Sequence, residues 1–151
     1  MSQEAALVVL NYGGWRMTVD YVTSIRRLSD IPVYVFDNGS SQEVVDALRA
    51  RCEGVPGVSF VPLHENHGYA KGHNLALSWL SENHPMVRFA VISNNDIEPG
   101  CDFNRFVHAG GAHLNERATC VAVGPRVVSP RGVLQSPKFV YGSARNFFAA
   151  L

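Results

Sequence analysis

The 151-residue chain is 46% hydrophobic, enough to bury the core of one domain and too short to hold two ordinary ones. Its 13 basic and 13 acidic residues cancel, which excludes the electrostatic footprint of a nucleic-acid binder. Any ligand has to be read from local sites.

Apolar runs alternate with helical patterns, with no internal repeat or low-complexity stretch, and this alternation predicts an α/β domain. A first strand is predicted at 6–10, ending at Asn11-Tyr12-Gly13-Gly14. Val19, Val22, Ile25 and Leu28 then recur at helical spacing, and Ser29-Asp30-Ile31-Pro32 stops that helix. The second strand, 33–36, runs into Asp37-Asn38-Gly39-Ser40, where Ser40 and Glu43 have the spacing of a capping box ahead of Val44, Val45 and Leu48. A third strand at 58–63 leads to the loop 66–74, Asn-His-Gly-Tyr-Ala-Lys-Gly-His-Asn, and to a helix at 71–82 with Leu75, Trp79 and Leu80 inward and Pro85 beyond its end. The fourth strand, 89–93, precedes Asn94-Asn95-Asp96, and a helix weakened by Gly110-Gly111 is expected over 102–115. A last short strand is expected at 121–123. The runs are continuous and β-branched, as a mostly parallel sheet covered on both faces requires.

Asn11, Asp37-Asn38, Asn66 and Asn94-Asn95-Asp96 each fall at or just past the C-terminal end of a predicted strand. In open parallel sheets ligands bind in the crevice outside the carboxyl ends of the strands. Asn, Asp and Gly also make good turns for local reasons; one such loop says little, but four at one edge point to a polar ligand with many contacts. Asp37, at a strand tip before a helix start, could accept from the N–H groups of a base while nearby amides face phosphate. Gly68 and Gly72 would let the backbone approach a ligand, and Asn74 lies in the first turn of the helix. Neither a GxGxxG fingerprint nor a Walker A loop is present. Asp96 is the candidate ligand for Mg²⁺ or Mn²⁺, which one or two carboxylates plus substrate phosphates can hold, while Glu98 reads as a turn residue. The histidines lack zincin spacing, and Trp15 and Trp79 read first as packing.

Cys52, Cys101 and Cys120 form no CxxC pair and read as buried free thiols. All 13 carboxylates lie at or before Glu116, so the remainder, with Arg117, Arg126, Arg131, Lys138 and Arg145, is purely basic. That stretch reads as a solvated face or as a phosphate- or membrane-facing surface. The N-terminus lacks a signal-peptide pattern and no apolar run reaches the ~20 residues of a membrane span. A soluble cytoplasmic location is expected, with the inner face of the membrane as its variant.

Taken in order, Val8-Val9-Leu10-Asn11-Tyr12, Asp37-Asn38-Gly39-Ser40, the loop 66–74 and Asn94-Asn95-Asp96 resemble the donor-binding motifs of family 2 glycosyltransferases, particularly the rhamnosyltransferase-like group. The segment from Val123-Gly124-Pro125-Arg126 through Gly132-Val133-Leu134-Gln135 resembles the stretch after the metal motif in those enzymes, so the resemblance covers 7–135. It implies a GT-A (Rossmann-like) fold, a UDP- or dTDP-linked sugar donor, a glycan or other hydroxyl acceptor, and Mn²⁺ or Mg²⁺, in inverting transfer such as polysaccharide biosynthesis uses. On matching positions Asp37 would recognise the base. Asn11, Tyr12, Asn38, Gly39, Asn66, Gly68, Lys71, Gly72, Asn74, Asn94 and Asn95 would line the nucleotide-sugar site, and Asp96 would hold the metal. Asn94 stands where the DxD form of the motif has its first acid, so the metal role falls on Asp96 alone. The family's catalytic base lies well downstream of the metal motif, where this chain has no acid. Residues 1–151 are therefore expected to be the donor-binding portion of a truncated domain, binding nucleotide weakly and transferring sugar poorly. The rival expectations are a non-catalytic nucleotide- or carbohydrate-binding module and a receiver-type phosphoacceptor using Asp37. The receiver would need acids beside the first strand, and Asn11-Tyr12-Gly13-Gly14 supplies none. Membrane association and homo-oligomerisation stay open.

Overall fold

A computed structural model describes residues 4–116, 122–125 and 127–136. The chain divides into two compact units, Met1–Gly111 and Ala112–Leu151. In the first, β1 (Ala5–Asn11), β2 (Val33–Asp37), β3 (Val58–Pro62) and β4 (Phe89–Ser93) form a four-stranded sheet in the order β3-β2-β1-β4. Every pairing is parallel, with Asn11 opposite Asp37, Asp37 opposite Pro62, and Val9 opposite Ser93. All four strands therefore end at one rim. β1 and β2 are central and buried along their length, which explains their unbroken Val, Leu and Phe runs.

Helices α1 (Arg16–Leu28) and α2 (Gln42–Cys52) cover one face. Tyr21, Val22, Ile25, Leu48 and Cys52 pack there on Leu7, Val9, Val33 and Val35, joined by Val107 of α4 (Phe103–Glu116). On the other face α3 (Tyr69–Asn83) sets Ala76 and Leu80 against Ala6, Val8, Tyr34 and Phe36. Complete burial of side chains such as Phe36, Leu7 and Ile25 contributes about 1.5–3 kcal/mol each. The strand order reverses between β1 and β4, so the loops after those two strands flank the switch point where open α/β sheets bind ligands.

Four elements depart from expectation. The buried stripe of α1 is Thr18, Tyr21, Val22 and Ile25, with Thr18 turned inward by its bond to Asn11. The Ser40/Glu43 capping box does not form: Ser41 is the N-cap of α2, without a side-chain cap bond, and Ser40 is engaged elsewhere. α3 starts at Tyr69 and buries Gly72, His73, Ala76 and Leu80, leaving Leu75 half-buried and Trp79 edge-on against Phe36. α4 continues through Gly110-Gly111, with Gly111 buried where a Cβ would meet the Phe89 ring at 3.5 Å.

In the second unit β5 (Val127–Val128) and β6 (Leu134–Ser136) pair antiparallel around a turn closed by Gly132, whose φ is 76°. Val121 of the strand expected at 121–123 lies outside the described residues, and Ala122 and Val123 are not in a strand. Of the cysteines expected to be buried thiols, Cys52 is buried and Cys101 is exposed; Cys120 lies outside the described residues. Among the described residues no helix is long and apolar enough to cross a membrane.

Candidate functional site

The rim is organised by a continuous polar network. Asn11, fully buried at the end of β1, donates through Nδ2 to Asp37 Oδ1 at 2.8 Å. Asp37, 1% exposed, also accepts from the Ser40 hydroxyl at 2.6 Å and, through Oδ2, from the Ser40 amide at 2.9 Å. Of the four acceptor sites of a carboxylate, three are thus occupied by the chain itself and one on Oδ2 is left. Ser40 Oγ in turn accepts the Gly13 amide at 2.9 Å, tying the loop after β1 to the loop after β2.

The other side of Asn11 reaches toward β4. Thr18 donates to Asn11 Oδ1 at 2.5 Å, and Asn95 Nδ2 donates to Thr18 Oγ1 at 2.6 Å. Ser40, Asp37, Asn11, Thr18 and Asn95 therefore form one hydrogen-bonded chain across three strand tips and the start of α1. Buried polar groups paired in this way fix a loop arrangement, because each alternative leaves more donors or acceptors unsatisfied.

A second network holds the loop after β3. Asn38, 3% exposed, accepts the His67 amide at 3.0 Å and donates to Asn66 Oδ1 at 3.3 Å and to the Gly68 carbonyl at 3.2 Å. Asn66 Oδ1 also accepts the Gly68 amide at 2.8 Å. Gly39, at φ 78°, passes so close to Glu65 and Asn66 that a Cβ there would overlap their backbone. Gly72 is packed on Leu10 and Asn38, where a Cβ would meet Leu10 Cδ2 at 2.9 Å, so its smallness serves helix-to-sheet packing. Gly68, at φ 72°, has open space beside it.

Between α1 and the loop after β4 lies a cleft of about 360 Å³ lined by Met17, Asp20, Tyr21, Ser24 and the segment from Asn95 to Pro99. Asp96 and Glu98 are exposed on it. The Tyr21 hydroxyl pairs with Ser93 Oγ at 2.6 Å, and burial pushes its pKa up against the opposing effect of that bond, so it stays protonated. Asp20 on α1 carries no motif and was not singled out by sequence; only its position one residue before buried Tyr21 places it at the cleft mouth.

The rim thus divides the candidate residues in two. Asn11, Asp37 and Asn38 are buried junctions; Tyr12, Asn66, Gly68, Lys71, Asn74, Asn94 and Asp96 are exposed. Trp15 is half-buried against the core, with the guanidinium carbons of Arg16 and Arg51 at 4.8 and 3.8 Å from its ring centroid. Oxygen donors are available for a divalent cation at Asp96, with Asp20 and Glu98 on the same cleft. Among the described residues no three His, Cys, Asp or Glu side chains gather closely enough to form a metal cage. This donor set fits a hard cation whose shell is completed by ligand phosphates and water, and does not fit an all-protein site.

No protein-family model and no curated protein sequence matches the chain. Among solved structures, it is similar to the mannosyltransferase PcManGT from Pyrobaculum calidifontis in complex with GDP-Man and Mn²⁺, with a TM-score of 0.56 and 22% identity. The similarity covers 85% of this chain, which spans 36% of the length of that one. It establishes a glycosyltransferase-like fold: an α/β, Rossmann-like parallel sheet flanked by helices.

Proposed function

We propose that residues 1–151 are the nucleotide-sugar-binding part of a GT-A glycosyltransferase of family 2, in the rhamnosyltransferase-like group. The observation that carries this reading is the Ser40–Asp37–Asn11–Thr18–Asn95 network, which locks the loops after β1, β2 and β4 at one rim beside the cleft holding Asp96. A sugar nucleotide presents a base, a diphosphate and hydroxyls in a row, and this rim offers a separate loop for each. Asp37 meets the base through its remaining acceptor site, with Tyr12 exposed beside it on the next loop; Asn66, Gly68, Lys71, Asn74 and Asn94 line the sugar side. Asn38, Gly39, Gly72 and Asn95 serve the same site by fixing its loops.

Asp96 would hold Mn²⁺ or Mg²⁺, which when bound supplies positive charge to the departing diphosphate. The donor is UDP- or dTDP-linked, the acceptor is a glycan or other hydroxyl compound, and the reaction is inverting transfer in polysaccharide biosynthesis. The GDP-Man bound by PcManGT supports the ligand class without fixing the base.

Calorimetric titration with UDP-, dTDP- and GDP-sugars, with and without Mn²⁺, tests the reading when repeated on Asp96→Ala. Metal-dependent binding that the substitution abolishes is the expected result. Binding of free glycan without metal, and of no sugar nucleotide, would replace the transferase reading by that of a carbohydrate-binding module.

A further inference from the structure

We propose that His73 is a hydrogen-bond acceptor for a sugar-ring hydroxyl of the ligand, screened in the free chain by Tyr69; this rests on the sugar-nucleotide reading of the rim. His73 belongs to the buried stripe of α3 with Gly72, Ala76 and Leu80, and is 5% exposed. Its Nδ1 lies 3.1 Å from the Tyr69 carbonyl oxygen. A carbonyl can only accept, so Nδ1 carries the proton and Nε2 is left as a bare lone pair. That Nε2 is buried and has no hydrogen-bond partner among the described residues. An acceptor buried without a donor destabilises the chain, and an apolar side chain would fill the same stripe without that cost.

The imidazole is folded back to the first turn of α3, which places it at the rim end of the helix. The Tyr69 ring lies against it, with centroids 4.4 Å apart. Tyr69 itself is 62% exposed, and its hydroxyl donates to Asn94 Oδ1 at 2.9 Å, so it joins α3 to the loop after β4 directly beside the imidazole. This single bond between two exposed groups is exchanged readily for water, and the adjoining Gly68 at φ 72° marks the turn into the helix. Tyr69 is thus the exposed side chain packed on the imidazole, and its displacement by a ligand is the opening that the proposal requires.

The chemistry selects the ligand group. A diphosphate offers only acceptors at neutral pH and cannot satisfy Nε2, whereas a hydroxyl can donate. Both the ribose and the transferred sugar carry hydroxyls, and the comparison of nucleoside diphosphates with their sugar conjugates separates them.

The test is titration calorimetry of the full chain with UDP, dTDP, GDP and their sugar conjugates in the presence of Mn²⁺, for wild type, His73→Phe and His73→Gln. His73→Phe is expected to weaken binding about tenfold, one hydrogen bond's worth. His73→Gln, which returns an acceptor oxygen at similar reach, is expected to recover most of it. A loss confined to the conjugates assigns the bond to the transferred sugar; a loss shared equally by free diphosphates with different bases assigns it to the pentose, and a loss confined to one base overturns the assignment. In wild type, which needs no substitution to fold, the ¹⁵N resonance of Nε2 should move upfield at ligand saturation. Equal affinity of His73→Phe and wild type, or an Nε2 resonance unmoved at saturation, overturns the assignment while leaving the sugar-nucleotide reading standing. A wild-type chain that binds none of these ligands overturns that reading, and this assignment with it.

Discussion

Asp37 is the point at which the rim can be tested as a unit. Replacing it with alanine removes the acceptor for Asn11 Nδ2, for the Ser40 amide and for the Ser40 hydroxyl. The hydroxyl can rotate to a new partner. Asn11 Nδ2 is left with a 3.4 Å contact to Ser40 Oγ, and the Ser40 amide with none of its present bonds. Each unsatisfied donor costs about 1–3 kcal/mol, while the desolvation of the buried charge is relieved, so the net loss should be about 3 kcal/mol. For a chain of this length that corresponds to a fall in Tm of roughly 6–12 °C. Asp37→Asn keeps the shape but turns an N–H₂ group toward existing donors, and should fall between the two. Thermal and urea unfolding followed by circular dichroism measure both, and Thr18→Val, which cuts the same chain between Asn11 and Asn95, should cost about 1–2 kcal/mol. An Asp37→Ala variant melting within about 2 °C of wild type would show that the carboxylate is not the junction of the rim, and the loops would need another cause for their common placement.

Gly39→Ala should be among the most damaging single-methyl changes in the chain, by about 3 kcal/mol or more, because it adds a backbone overlap to a φ of 78°; Gly68→Ala, at φ 72° and ψ 176° with open space, carries the backbone strain alone and should cost about 1–3 kcal/mol in the same unfolding assay. Cys52, buried and beside Glu53, has its thiol pKa pushed up to about 11, burial acting first and the carboxylate second. At neutral pH an alkylating reagent should therefore label exposed Cys101 and spare Cys52 until the chain unfolds, as peptide mass mapping would read directly. The same shift gives stability a pH dependence. Below about pH 8.5 both states keep the thiol protonated; above it the unfolded chain ionises first, so about 3 kcal/mol is lost as pH rises to about 11, and burial of Tyr21 and Tyr34 acts in the same direction. An unfolding midpoint in urea that is flat from pH 8 to 11 would contradict this.

The strands were legible because burial on both faces leaves no room for polar residues, so the apolar runs of β1 and β2 identify themselves. The loops were legible only as positions. Asn11, Asp37 and Asn95 stood out as polar residues at strand ends, but composition could not tell a residue that faces a ligand from one that faces its neighbours. Thr18 and Ser40 show why. Each looks locally like something else, a helix residue off the apolar stripe and half of a capping box, and each is tied into the network by a partner far away in sequence, Asn95 at 77 residues from Thr18 and Gly13 at 27 from Ser40, that becomes adjacent only when the strand tips align. His73 was hidden for the opposite reason: an unpaired acceptor is a property of a folded surrounding, and no spacing announces it.

This division bears on how the rim works. A side chain buried at 0–3% exposure, as Asn11, Asp37 and Asn38 are, can offer a ligand only what its own bonds leave over. Its larger effect is to set where exposed neighbours stand. Substitutions at the junctions should accordingly change stability and affinity together, while those at Asp96 or Asn74 should change affinity with little effect on the melt. A paired measurement of Tm and Kd across Asp37→Asn, Asn38→Ala, Asn74→Ala and Asp96→Ala separates the two groups. If Asn38→Ala weakened binding with an unchanged melt, the junction role assigned to its three bonds to His67, Asn66 and Gly68 would be wrong, and Asn38 would have to be moved to the residues that meet the ligand.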